Sequence, residues 1–171
     1  IGRAAGERGL VIGTSTGGTL AALAAHEAMA EGVAGLVLIA PNFRVRAAGA
    51  ALLTWPAARL WLPWLIGAER GFDPVTEGQA AHWTTRYPST AVLPMAASVA
   101  AARALPHEDA AIPALFVFDP DDTVVDHAAT EAVAARWGAP ATVARVSVGP
   151  GDDPARHVIA GDILSPSMTD P

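Results

Sequence analysis

A serine between glycines, Gly13-Thr14-Ser15-Thr16-Gly17 with Gly18 behind it, separates the apolar run Leu10-Val11-Ile12 from an Ala/Leu-rich stretch spanning Thr19 to Ala30. No other feature of the chain restricts its fold as much. The pattern predicts strand, sharp turn and helix, with the serine on a strained backbone and the glycines letting strand and helix pass closely. A side chain so placed projects above the sheet, and the helix N-terminus beneath it favours developing negative charge. A dinucleotide loop is the competing reading, but it needs G-x-G-x-x-G and an acidic residue closing the next strand, which here ends Ala40-Pro41-Asn42. The bland alternative is a glycine-rich turn with an idle serine.

The rest of the chain repeats the alternation of strand and helix. Val33 to Ala40 is a continuous apolar run ended by Pro41, the pattern of a parallel strand buried on both faces. It completes a βαβ unit. Residues 43–107 change character: Trp55, Trp61, Trp64 and Trp83 fall there among many Ala and scattered Pro, with no alternating pattern, and read as a helical cap. Its stretch Ala47 to Ala68 has the length of a membrane span but is broken by Pro56, Arg59 and Pro63, so no transmembrane span is expected. The strand pattern returns from Ile112 to Phe118 and meets an acidic loop, Asp119-Pro120-Asp121-Asp122-Thr123. A helix over about Ala128 to Trp137, a last strand over Thr142 to Val148 and the loop Gly149 to Asp153 lead to His157. The expectation is a single α/β domain over 1–171, with a mostly parallel sheet of about four strands and flanking helices. Residues 1–42 and 108–171 form its core and 43–107 its cap.

Composition removes several chemistries. All 11 basic residues are Arg, which excludes a Walker lysine, a Schiff-base lysine and an S-x-x-K nucleophile. Zero Cys excludes thiol nucleophiles, zinc ribbons and disulfide scaffolds, and leaves the cytoplasm as the default location. A net charge of −6 with dispersed Arg speaks against nucleic acid.

A serine alone is a weak nucleophile, so the turn demands a base and an orienting carboxylate downstream. Asp119, Asp121, Asp122 and Asp126 follow one strand and His157 follows the last, each past the C-terminal end of a parallel strand. The segments LVIGTSTGGTLAA, GLVLIAPNF, ALFVFDPDDTVVD and ARHVIAGDILSP resemble the α/β-hydrolase family, in its lipase, esterase and lysophospholipase-like branch. The resemblance implies catalytic Ser15, Asp122 and His157, with Asp122 taken from the D-x-V-V pattern and Asp121 as second choice. It implies Gly13 and Gly17 as the elbow glycines, the N–H of Thr16 as an oxyanion donor, and hydrolysis of a small ester with neither metal nor cofactor. The Trp-rich cap suggests an acyl or aromatic ester, although tryptophan clusters more often serve as core. Solvated or core roles suffice for His26, His82, His107 and His127.

Only 14 residues precede Ser15, whereas complete members have several strands there and draw a second oxyanion donor from one of their loops. The strand at Leu10 to Ile12 is therefore expected to seek a partner, which predicts a homo-oligomer. A non-catalytic relative acting as a binding or oligomerising module is the chief alternative. A weaker one is a haloacid-dehalogenase-like phosphatase, with Asp119 and Asp121 beside Mg²⁺ in the D-P-D-D-T run. It wants a Lys that the chain lacks and an acidic pair more distant than Asp152 and Asp153.

Overall fold

A computed structural model of the chain describes residue 4 and residues 6–169. β1 (Gly9–Thr14), α1 (Thr16–Ala24) and β2 (Val33–Ile39) form the expected βαβ unit. The insertion holds α2 (Ala58–Ile66), β3 (Glu69–Gly71), α3 (Glu77–His82), β4 (Arg86–Pro88) and α4 (Val92–Arg103); β5 (Ala114–Phe118), α5 (His127–Ala135) and β6 (Ala141–Arg145) follow. The four long strands make one parallel sheet in the order β1-β2-β5-β6. The insertion is not wholly helical, because β3 and β4 pair as an antiparallel ribbon.

The sheet order runs in one direction. With right-handed crossovers, that order puts α1 and α5 on the same face. Ala21 and Ala22 of α1, Ala102 of α4, and Ala129, Val133 and Ala134 of α5 accordingly join Leu36, Leu38, Ala114 and Phe116 in one cluster. Small residues on the helices let them lie close to the branched and aromatic residues of the strands. The opposite face is drier in the sequence expectation than in the structure. β2 does not bury both faces: Val37 and Ile39, like Leu115 and Val117 of β5, are half-buried, while Leu10 and Ile12 of β1 are each 62% exposed. The continuous apolar run misleads here because its alternate residues meet two different environments.

Within the insertion, Phe43 is fully buried in the main cluster and α4 packs against α1. The tryptophans behave differently. Trp55 is 61% and Trp64 91% exposed, and of the five only Trp137, outside the insertion, is buried. Its indole N–H donates to the Ile112 carbonyl at 2.8 Å. Among the described residues no helix is long and apolar enough to cross a membrane.

His107 is fully buried, stacked on Trp137 with ring centroids 5.7 Å apart and edge-on to Phe43. Burial above all, with the positive charge of Arg136 and neighbouring His26, lowers its pKa below the ordinary 6.5. A lowered histidine favours the neutral form in the folded state, so the unfolded chain binds more protons below pH 6.5. The stability carried by neutral His107 is full above that pH and is lost as pH falls toward the lowered value. Thermal unfolding followed by circular dichroism should show the midpoint dropping between pH 7 and pH 5, with a shallower drop in His107→Phe, which keeps a ring against Trp137 but cannot take a proton. Parallel curves for the two proteins would contradict this assignment.

Candidate active site

At the end of β1 the backbone turns sharply through Ser15, whose φ of 52° and ψ of −121° are unfavourable for a residue with a Cβ. Hydrogen bonds over-determine the turn. The Ser15 N–H donates to the Ile39 carbonyl at 2.9 Å, and the Ser15 carbonyl accepts from the N–H groups of Gly18 (3.0 Å), Thr19 (3.2 Å) and Asn42 (3.1 Å). The end of β2 thus grips the turn from the side. Glycine is required at two positions, though not the two expected. A Cβ on Gly13 would stand 2.6 Å from the Gly17 carbonyl oxygen, and one on Gly18 would stand 2.9 Å from the Pro41 Cβ, whereas one on Gly17 would enter open space. The steric demand therefore falls on Gly13 and Gly18. Gly17 matters for where its carbonyl passes.

The structure brings Ser15, Asp122 and His157 together. The Ser15 Oγ lies 2.9 Å from His157 Nε2, and His157 Nδ1 lies 2.7 Å from Asp122 Oδ2. A carboxylate facing Nδ1 holds the ring proton there, which leaves Nε2 as an acceptor for the serine hydroxyl. Asp122 is fully buried, and its Oδ1 accepts the N–H groups of Val124 (2.7 Å) and Val125 (3.0 Å). This is the physical content of the D-x-V-V pattern: the carboxylate closes its own turn and so aims its second oxygen at the histidine. Arg46 holds the same turn from outside, donating to the Asp122 carbonyl at 2.6 Å. Asp121, the second choice, points away with its side chain 76% exposed. Thr16 is the first residue of α1, a position whose N–H has no partner within the helix, and it is half-buried beside Ser15.

Asp119 lies at the heart of the acidic loop but is committed elsewhere. Its Oδ1 accepts the Asp121 N–H at 2.8 Å, and its Oδ2 accepts the Val148 N–H and the Arg156 Nε–H, both at 3.0 Å. Burial pushes its pKa up, but these main-chain donors and the guanidinium outweigh it and hold the carboxyl below the usual range. The phosphatase alternative is left without a free attacking carboxylate. Asp152 and Asp153, the acidic pair too near in sequence for that alternative, accept backbone N–H groups in and beside the histidine loop.

Sequence reasoning missed these supports, together with Asn42 and Gly18. The signal available for them was an Arg directly before the histidine and an Asp-Asp-Pro turn ahead of it, in a loop with no regular element. A cavity of about 430 Å³ lies between residues 44–54 and α4, with Val45, Leu53, Ala96 and Val99 among its apolar walls and Arg44 and Arg103 also lining it. None of the three site residues lines this cavity. Arg44 and Val45 of its lining belong to a segment that runs antiparallel to the acid loop, with Val45 bridged to Val125.

The model of the family described as serine aminopeptidase, S33, matches residues 2–149, a stretch that includes Ser15 and Asp122 and stops before His157. No curated protein matches the chain. Among solved structures, it is similar to a metagenome-derived lipolytic enzyme of the LipS and LipT pair, at 21% identity and a TM-score of 0.62, covering 81% of this chain and 55% of that one. A monoacylglycerol lipase from Paleococcus ferrophilus aligns at 16% identity and a TM-score of 0.63, covering 84% and 60%. A soluble variant of monoglyceride lipase from Saccharomyces cerevisiae aligns at 12% identity and a TM-score of 0.62, covering 95% and 57%. The chain thus spans a little over half the length of the structures it matches, and the likeness is one of fold.

The glycine geometry gives a direct test in denaturant unfolding. Gly13→Ala and Gly18→Ala should each cost about 1–3 kcal/mol through forced backbone movement, whereas Gly17→Ala, in a helix with open space, should be neutral or gain up to about 1 kcal/mol. Equal losses at 13 and 17 would contradict the assignment.

Proposed function

Because the chain belongs to the serine aminopeptidase S33 family of α/β hydrolases, we propose that it is a hydrolase of carboxylic esters working through a Ser-His-Asp triad. The observation that carries this reading is the continuous line Ser15–His157–Asp122, with contacts of 2.9 and 2.7 Å. In it, Ser15 Oγ attacks the ester carbonyl as His157 Nε2 takes the hydroxyl proton, and the Thr16 N–H donates to the developing oxyanion. His157 then returns the proton to the leaving alcohol, and a water activated by the same nitrogen releases the acid from the acyl-enzyme. Asp122 holds the ring in the working tautomer. The apolar cavity beside residues 44–46 is the proposed seat of the acyl or aromatic part of a small ester.

Treatment with a fluorophosphonate followed by mass spectrometry should place the adduct on Ser15, and His157→Ala should abolish it. An unlabelled Ser15 would leave the non-catalytic binding module as the better reading. Turnover of p-nitrophenyl butyrate should fall about 10⁴-fold in Asp122→Asn, the scale of the same change in serine-protease triads, and little in Asp121→Asn. Faster turnover of aminoacyl p-nitroanilides than of esters would move the activity to the peptidase that the family description names.

The assembly proposal rests on β1, which among the described residues is an edge strand, with Leu10 and Ile12 each 62% exposed. Bare edge N–H and C=O groups beside apolar side chains are a template for another strand. A second copy turned antiparallel closes this edge symmetrically, without leaving a further edge to grow from. Sedimentation equilibrium at micromolar concentration should report a dimer; a single species at the mass of one chain would refute the pairing.

A further inference from the structure

His157 lies in the stretch 146–165, which has no helix or strand. A catalytic base in such a segment is placed only if something offsets about 1–2 kcal/mol of backbone entropy per ordered residue. The side chains around it divide that task unequally. Arg156 has a left-handed φ of 56°, and its guanidinium reaches back to Asp119 at 3.0 Å and to the Ser147 hydroxyl at 2.6 Å. Asp152 holds the start of the loop, accepting the Gly149 N–H at 2.7 Å and bonding to Ser167. Neither touches the backbone of the histidine itself.

Asp153 does. Its carboxylate is buried, with Oδ2 accepting the N–H groups of His157 (2.9 Å) and Val158 (2.7 Å) and Oδ1 accepting that of Ala155 (3.1 Å). The Asp153 N–H donates to Ser165 Oγ at 3.3 Å, and the Ser165 hydroxyl donates in turn to the Val158 carbonyl. Three main-chain donors converging on one carboxylate need two acceptor oxygens. An amide of the same shape would turn an NH₂ toward at least one N–H. Charge-assisted bonds of this kind are also shorter and stronger than neutral ones. On this geometry we propose that Asp153 is a positioning residue for the hydrolytic reaction, fixing the His157 backbone so that the imidazole spans Asp122 and Ser15.

The inference rests on the proposed triad, and the experiment separates the two. In ester turnover, Asp153→Asn should lower kcat about 10- to 100-fold with KM within about threefold, the scale expected when a catalytic group is displaced by about an ångström. Asp152→Asn, which leaves the His157 N–H partnered, should keep kcat within about threefold. The low-field proton resonance of the His157–Asp122 bond should broaden or shift in Asp153→Asn and stay in place in Asp152→Asn. Ser165→Ala, which removes only the outer support, should lower kcat less and in the same direction, and it serves if Asp153→Asn does not fold. Wild-type kcat and an unmoved resonance in Asp153→Asn, or in Ser165→Ala if it must stand in, would overturn the proposal while the triad stands. Wild-type activity in Ser15→Ala would overturn the triad reading and this one with it.

Discussion

The site depends on how closely β1 and α1 pass at their junction. The Gly17 carbonyl runs where a Gly13 Cβ would be, and Pro41 runs where a Gly18 Cβ would be. With no side chains between them, strand, helix and the end of β2 come near enough for the Ser15 carbonyl to collect three N–H groups, one from Asn42. Those bonds hold Ser15 in a conformation that costs about 1–3 kcal/mol for an ordinary residue. The serine hydroxyl is placed by backbone forces, before any contact with the histidine is considered. Everything else at the site is arranged around a fixed point.

The other two members are held by a different device. With no lysine and few aromatic anchors at this edge of the sheet, the loops after β5 and β6 are organised by buried carboxylates that collect main-chain N–H groups. Asp119 and Asp122 order the first loop, Asp152 and Asp153 the second, and the Asp119–Arg156 pair ties the two loops together. Thr123 adds a further tie, its N–H donating to the Ala155 carbonyl at 3.0 Å. A buried carboxylate is costly unless its lone pairs are filled, and here the donors filling them come from the loop being ordered or, for Asp119 Oδ2, from the neighbouring loop. Acidic composition, which at sequence level served to exclude nucleic acid, is in part internal scaffolding.

The alternation of strand and helix was legible because its causes are local: the apolar run before Gly13, the alanine-rich stretch after Gly18 and the run from Val33 to Ile39 each carry their own signal. Asp122 was preferred to Asp121 only through the resemblance carried by the D-x-V-V pattern; the structure adds that the valines two and three residues on are the donors to that carboxylate. What the chain did not reveal depends on contacts distant in sequence. Whether Val37 and Leu115 face helices or solvent is decided by the order of strands in the sheet, and no periodicity in β2 records it. Trp55 and Trp64 read as core or substrate wall from composition, but exposure is a property of the surrounding insertion. The backbone contacts of Asp153, named in the sequence only as one of an acidic pair, escaped notice because their donors are groups that every sequence possesses.

The contact between Ser15 and His157 joins residues 142 positions apart, whereas Asp122 and His157 are 35 apart. Closing a loop of that greater length costs about 4 kcal/mol in chain entropy, and contacts of long separation tend to form late. The elbow can form within the first βαβ unit, and the acid and histidine can be joined within the last third of the chain. Each half is then locally ordered and chemically inert. The proposed proton path from hydroxyl to imidazole requires that the sheet has joined β2 to β5 and brought the two halves to one edge. On the proposed triad, helix and sheet signals return during refolding before the serine can form a covalent adduct, and that reactivity becomes a clock for the final docking step.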